Sequence, residues 1–354
     1  MKKVKVRSLA SGDNLSISYF DFPGTKKGAP TAYLQAAMHG SEVQGSLVLL
    51  KLREYLKKNP PLGDIRFVPF ANPVGLNEKQ GEYNQGRFDT STGINWNRAY
   101  FLPNKEIDWA SLLAHRDDVP KLKSLYRAQL RKNLLGRSKE SLAYAESLAI
   151  QLQLLSIDYD HVLDLHCANQ SVRHIYVPSF AKEDARFFTN SPFQILMTNE
   201  FGGAFDEVSF VPWWILAERC NQEPLVQAFT IELGNQETIS TKDAAADLES
   251  ILNYLRHRGV IRGKAKATRP TQCEQEKYYC QYAPIGGLAE FVAPLGKKLA
   301  KGALVANIYH PASEVACTPI HMPFAGIPIL YHSSAIVHEG AELVKFFKTG
   351  PYGC

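Results

Sequence analysis

The order of hydrophobic and polar residues divides the chain into three textures. The first opens with VKVRSLA, a polar SGDN turn and LSISYF, where Leu15, Ile17 and Tyr19 alternate with serines. A period of two of this kind predicts strands with one buried face. After the Pro/Gly/Lys-rich break FPGTKKGAP, the mostly apolar run TAYLQAA reads as a strand buried on both faces. From Val43 the spacing changes to three and four. Val43, Leu47 and Leu50 form one row and Leu49, Leu52 and Leu56 the next, which predicts a helix that stops at KKNPPLG. IRFVPFANP then supplies another strand.

The second texture, residues 103–155, is charged and helix-favouring, broken only by Pro103, Pro120 and Gly136, and predicts two or three amphipathic helices. Beyond it, HVLDLHCAN and LVQAFTIELG return to short apolar or β-branched runs followed by polar or glycine-bearing turns. Strands alternating with helices predict an α/β fold, a mixed and mostly parallel sheet flanked by helices. The third texture begins near residue 270. GGLAEFVAPLGKKLAKGALVANIY and FAGIPILYHSSAIVHEGAELVKF share a rhythm of glycine, apolar run, glycine turn and apolar run. The two halves predict a small all-β barrel or sandwich with a weak internal repeat. The expected organisation is a domain over residues 1–270, with a helical insertion at about 103–150, and a β domain over 271–354.

Composition narrows the function classes. The 354 residues are 45% hydrophobic and 21% charged, which describes an ordinary globular protein. A net charge of +5, with no dense basic stripe, argues against nucleic acid and leaves anionic small ligands open. No run approaches the roughly 18 apolar residues of a membrane helix, and MKKVKVRSLASG has no signal-peptide core. The six cysteines, at 167, 220, 273, 280, 317 and 354, form no CxxC pair. The expectation is a cytoplasmic protein, off the membrane, whose thiols are mostly buried small hydrophobes.

Several predicted strands end in chemically suggestive residues: His39 with Glu42, Asn72, His166 and Glu232. Ligands of open α/β sheets gather beyond the carboxyl ends of parallel strands, so these groups can converge. Two imidazole nitrogens and a carboxylate oxygen, with a fourth position open, form the shell of catalytic zinc. His39 and Glu42 supply two members and His166 is the best candidate for the third. Asp164 shares the strand face of His166, where it can orient that ring. Glu232, among apolar neighbours, fits either a general base of raised pKa or a salt-bridged carboxylate at a strand end. The polar loop 77–101 carries Arg87, Asn97 and Arg98, a set suited to clamping a carboxylate or to an ordinary solvated surface. The other histidines read as structural.

HGSE at 39–42, the loop ending GINWNRAYF, DLH at 164–166 and TIELG at 230–234 resemble, in order and approximate spacing, the zinc carboxypeptidase-like superfamily. A small residue after His39 and a β-rich C-terminal region look most like its succinylglutamate desuccinylase/aspartoacylase branch. The resemblance implies that His39, Glu42 and His166 ligate one zinc ion and that Glu232 acts as base and then acid. It implies that Asn97 and Arg98 bind the substrate carboxylate and that Arg87 polarises the scissile carbonyl. The usual Asp-Leu-Asn-Arg reads Asn95-Trp96-Asn97-Arg98 here, a departure that alters the pocket. The C-terminal region resembles lipoyl- or biotinyl-type barrels without their carrier lysine and is expected to wall the site entrance. The helical segment is expected either to cover the site or to build a dimer contact, so a homo-oligomer stays open. Tyr176 is a candidate for a tyrosine over the substrate.

The expected activity is zinc-dependent hydrolysis of an amide, releasing an acyl group from an N-acyl amino acid. A metallocarboxypeptidase acting on short peptides is the nearest alternative. A catalytically silent binding protein on the same fold is the other.

Overall fold

In the computed structural model, residues 1–140, 142–312 and 317–349 are described. Strands β1 (Lys2–Ser8) and β2 (Asn14–Phe22) pair antiparallel, with Val4 opposite Ile17. Strand β3 (Ala32–Ala36), helix α1 (Gln44–Lys58) and strand β4 (Ile65–Val68) form a parallel βαβ unit. Helix α1 buries Val48, Leu49, Leu52 and Leu56; of the first predicted row Leu47 packs at the margin of that core and Leu50 is exposed. A short helix, α2 (Pro73–Asn77), and the hairpin β5 (Lys79–Gln80) and β6 (Tyr83–Asn84) lead into the polar loop.

The charged segment folds as α3 (Trp109–Leu113), α4 (Val119–Arg137) and α5 (Tyr144–Ser156), each prolyl or aspartyl start matching a helix N-terminus or a break. The chain continues through β7 (His161–Ala168), β8 (Gln170–Ser171), β9 (His174–Pro178), α6 (Lys182–Ala185) and β10 (Phe193–Met197). Helix α7 (Phe205–Cys220), β11 (Gln227–Asn235), α8 (Thr241–His257) and β12 (Thr271–Glu274) follow.

Among the described residues nine strands form the main sheet, in the order β1-β2-β4-β3-β7-β11-β9-β10-β12. Its centre, β4-β3-β7-β11, is parallel, and β9 runs antiparallel against β11. Strands β3 and β7 are buried along their whole length because helices cover both faces. One face packs Leu34, Leu163, Leu165 and Phe229 under α1 and α8. The other packs Tyr33, Val162 and Ala228 under α4, α5 and α7. On that second face the polarity changes along the strands. Val162 and Ala228 are apolar, Asp164 and Thr230 one step further are polar, and His166 and Glu232 end the row.

The C-terminal segment contains β13 (Tyr278–Tyr282), β14 (Gly287–Phe291), β15 (Leu304–Tyr309), β16 (Thr318–His321), β17 (Gly326–Tyr331), β18 (Ile336–Val337) and β19 (Glu342–Lys348). They form two antiparallel sheets, β13-β19-β17-β8 and β16-β15-β14-β18, around a shared core that includes Val305, Ile308, Tyr331 and Phe346. The two rhythmic halves of the sequence supply one antiparallel pair each, β14 with β15 and β17 with β19. Two strands cross between the halves of the molecule: β12 extends the main sheet beside β10, and β8 joins the C-terminal sheet beside β17. Ile195, Cys273, Ile329 and Phe347 pack together at that seam. Cys167, Cys220, Cys280 and Cys317 are free thiols, as expected, whereas Cys273 is disulfide-bonded. Cys354 lies outside the described residues. Among the described residues no helix is long and apolar enough to cross a membrane.

Candidate active site

After β3 the chain turns through Ala37, whose φ of 57° is left-handed and costs a non-glycine residue about 1–2 kcal/mol. The exit of β4 holds that turn. Ala71 N–H donates to Ala36 O (2.8 Å), Asn72 N–H to Ala37 O (3.1 Å) and Asn72 Nδ2 to Met38 O (3.0 Å). Asn72 also caps α2 through Gly75 N–H, so this strand-end residue is a brace for the turn. Three glycines let backbones meet there. A Cβ on Gly40 would come within 2.0 Å of Gly75 O and one on Gly86 within 1.9 Å of the same atom, while Gly40 N–H donates to Gly86 O (2.9 Å). The small residue after His39 is therefore a packing requirement, and Arg87 is fixed next to it.

The turn delivers His39 and Glu42 to the end of β7, where His166 stands. His39 Nδ1 lies 2.8 Å from Glu42 Oε1 and His166 Nδ1 2.7 Å from Glu42 Oε2. One ligand atom from each of the three buried residues lies within 4.8 Å of the others. The opposite nitrogens of both rings are occupied: His39 Nε2 meets Asn95 Oδ1 (2.9 Å) and His166 Nε2 meets Asp164 Oδ2 (2.8 Å). Asp164 Oδ1 in turn accepts from Gln35 Nε2 (3.0 Å), and Gln35 Oε1 accepts from Tyr33 OH (3.1 Å). Both imidazoles thus turn Nδ1 inward and anchor Nε2 outward, the orientation that outer partners impose on metal-ligating histidines. Two nitrogens and a carboxylate at this spacing fit a divalent ion such as zinc. In the metal-free protein burial pushes the Glu42 carboxyl up, but His39 and His166 outweigh it and hold the group well below the usual range. Burial likewise disfavours charge on His166, yet Asp164 and Glu42 raise it well above an ordinary imidazole.

The loop 77–101 is tied down at several points. Trp96 is buried in the core under α5 and α7, and Asp89 Oδ2 accepts from Ala145 N–H at the start of α5 (3.3 Å). The helical segment therefore braces this loop and covers the second sheet face; none of the cavity-lining residues comes from it. Asn95 Oδ1 also accepts from Asn97 N–H (2.9 Å), which sets the short turn Trp96–Arg98. Asn97 Nδ2 lies 3.5 Å from His166 Nε2, and its Oδ1 accepts from Phe205 N–H (3.2 Å) at the start of α7. Arg98 is exposed and donates from Nη1 to Asn97 O (2.6 Å). Arg87 Nη1 pairs with Glu42 Oε1 at 2.9 Å.

Glu232 is opposite His166 in the β7–β11 ladder, and the register shifts immediately after it, where Gly234 takes a φ of 94°. Its Oε2 is buried and without a hydrogen-bond partner among the described residues. Burial, reinforced by Glu42, pushes its carboxyl up to about 7. These groups open on one cavity of about 400 Å³. Tyr176, Ile195 and Met197 form part of its wall, and Tyr278, Glu342 and Lys345 of the C-terminal strands form another.

The catalytic-domain family described as succinylglutamate desuccinylase/aspartoacylase matches residues 28–258 of the 354, which contain every group above except the C-terminal wall. The chain belongs to the succinylglutamate desuccinylase/aspartoacylase family. Among solved structures, a protein of Shewanella frigidimarina given that family name is 38% identical with a TM-score of 0.92, over 98% of this chain and 96% of the other. One from Shewanella amazonensis is 37% identical with a TM-score of 0.90, over 98% and 97%. The ectoine utilization protein EutE (DoeB) of Ruegeria pomeroyi, in a product-bound structure, shares the fold at 18% identity and a TM-score of 0.69, over 98% and 94%. No curated protein matches the chain. Members of this family are hydrolases by name, and the His-Glu-His cluster is where a member would hold a metal ion.

His39, Glu42, His166, Glu232, Arg87, Asn97, Arg98 and Tyr176, all singled out in the sequence, line this one cavity. Asp164 stands behind His166 as its strand position implied. Asn95 was recognised only as a departure from the family pattern; the structure makes it the partner of His39. Asp206, also on the cavity wall, carries no signal in the sequence; Thr230 falls inside TIELG without standing out there, and Tyr278, Glu342 and Lys345 supply the wall expected of the C-terminal region.

Proposed function

We propose that the protein is a zinc-dependent amide hydrolase that removes an acyl group from an N-acyl amino acid. What carries this reading is the meeting of His39, Glu42 and His166 with an unpartnered Glu232 in one cavity. A zinc ion held by these three residues supplies Lewis-acid activation of water and of the amide carbonyl. Glu232, with its carboxyl near neutrality, accepts the proton of the attacking water and delivers it to the leaving nitrogen. Asn97 and Arg98 bind the substrate carboxylate. Arg87, which pairs with Glu42 Oε1 at 2.9 Å and lines the same cavity, donates to the developing oxyanion.

The cavity volume favours a small acylated amino acid over a peptide chain. The test compares short N-acyl amino acids with tripeptides on the zinc-loaded protein. Release of amino acid from the former supports the reading. Exclusive turnover of tripeptides makes the protein a carboxypeptidase, and no turnover of either by zinc-replete protein refutes hydrolysis.

A further inference from the structure

Asp206 stands in the first turn of α7 and is only 2% exposed, yet it reaches the cavity wall. It is not needed to cap the helix, because Glu207 Oε2 already accepts from Gly202 N–H (2.7 Å) and Ala204 N–H (3.0 Å). Among the described residues no cationic side chain forms an ion pair with it. The buried Thr230 hydroxyl stands against this carboxyl on the same cavity wall and finds no other partner among the described residues. Asp206, in reach of the Glu207 N–H and the Thr230 hydroxyl, is thus a buried carboxylate on the cavity wall with no cationic partner, an arrangement that a cationic ligand relieves. Burial, with Glu207 and Asp164 close by, pushes the Asp206 carboxyl up to about 7, as expected of an acid that lacks its counter-ion.

The other charges of the cavity are compensated or assigned. Lys345 pairs with Glu342 (2.8 Å), Arg87 with Glu42 (2.9 Å), and Arg98 is placed for the substrate carboxylate. What is left over is the Asp206 carboxyl on the cavity wall. Thr230 and Glu232 are two residues apart on one strand face, roughly 6.6 Å along β11, and Asp206 stands beside Thr230. That is the reach of a short amino-acid side chain bound with its amide carbonyl at Glu232.

We infer that Asp206 and Thr230 form a recognition subsite for a cationic nitrogen, so that the preferred substrate is the Nα-acyl derivative of an amino acid bearing a second amino group. The ammonium donates a charge-assisted hydrogen bond to Asp206 and another to Thr230 Oγ1, with Tyr176 alongside. A dicarboxylic amino acid places its second carboxylate against Asp206 and is rejected. This rests on the amide-hydrolase reading for the reaction, but the binding of the cation does not.

The test uses the full-length, zinc-loaded protein. Hydrolysis is compared for Nα-acetylornithine, Nα-acetyl-lysine, uncharged Nα-acetylnorleucine and Nα-acetylglutamate, and calorimetry measures binding of free lysine against norleucine. The wild type is expected to favour the cationic member of the lysine/norleucine pair by about 10–100-fold, and Asp206→Asn to shrink that ratio about tenfold or more. Thr230→Val shrinks it in the same direction and serves if Asp206→Asn fails to fold. Equal handling of lysine and norleucine derivatives by the wild type, in turnover and in binding, overturns the inference. So does a preference for acetylglutamate. If no acyl amino acid is hydrolysed while lysine still binds in an Asp206-dependent way, the hydrolase reading fails and the subsite stands.

Discussion

Replacing Asp164 with Asn tests whether the groups behind the histidines tune the metal centre. Asp164 is fully buried and joins His166 Nε2 to the Gln35–Tyr33 chain. The substitution keeps shape and one acceptor but removes the charge. The introduced amide can still accept from His166 if it donates to Gln35, whose own amide turns over and accepts through its oxygen, so the fold has a way to stay satisfied. The metal centre has none, since His166 loses the anion that makes it a strong donor. Changes of this kind cost roughly 10–100-fold in metal affinity, or about 1.4–2.7 kcal/mol. The loss depends on pH. Asp164 and Glu42 raise the wild-type His166, so near neutrality zinc must displace a proton from it, and the variant is relieved of part of that competition. The full loss therefore appears at alkaline pH and a smaller one near pH 6. The assay is zinc competition against a chelator of known affinity at both pH values, with circular dichroism to confirm folding. Unchanged affinity at alkaline pH, or a loss that grows as pH falls, would refute the reasoning.

Other expectations follow from the same geometry. Glu232→Gln should keep its zinc content by elemental analysis while kcat falls about 10²–10⁴-fold; turnover within threefold of wild type removes Glu232 from the proton transfers. Because Glu232 must be ionised to accept a proton, kcat/KM should fall on the acid side of a midpoint at or below about 7, a bound cation moving it lower, and the limb should vanish in the Gln variant. Gly40→Ala would put a methyl 2.0 Å from Gly75 O, and a urea titration should show a loss of about 1–3 kcal/mol. Wild-type stability in that variant would mean the turn can open freely. Arg98→Ala should raise KM for acyl amino acids more than it lowers kcat, which initial-rate kinetics reads directly.

Much of this architecture was legible along the chain because local patterns carried it. The runs that became β3, β7 and β11 are continuous and mostly apolar as double-sided burial requires, and Pro120 marks the first turn of α4, although that helix runs on through Gly136. The meeting of His39, Glu42 and His166 was legible because each lies at, or in the turn just after, a strand end in a short recognisable motif. Asn95 was not, because its partner His39 is 56 residues away and an amide in a polar loop has no pattern of its own. Asp206 reads in sequence like any acid in a first helical turn; only its neighbours reveal that the helix does not need it. The wall made by Tyr278, Glu342 and Lys345 depends on how two sheets dock, which no periodicity encodes. The first apolar row assigned to α1 failed at Leu50 because the stripe that faces the sheet is set by where the turn releases the chain.

The exchange of β8 and β12 has a consequence for anyone who wishes to dissect the molecule. A truncation at residue 270 strips β10 of its neighbour on one side of the cut and β17 of its neighbour on the other, leaving each fragment with a raw, sticky border. Either fragment expressed by itself should collect in inclusion bodies, whereas the intact polypeptide should melt in a single step.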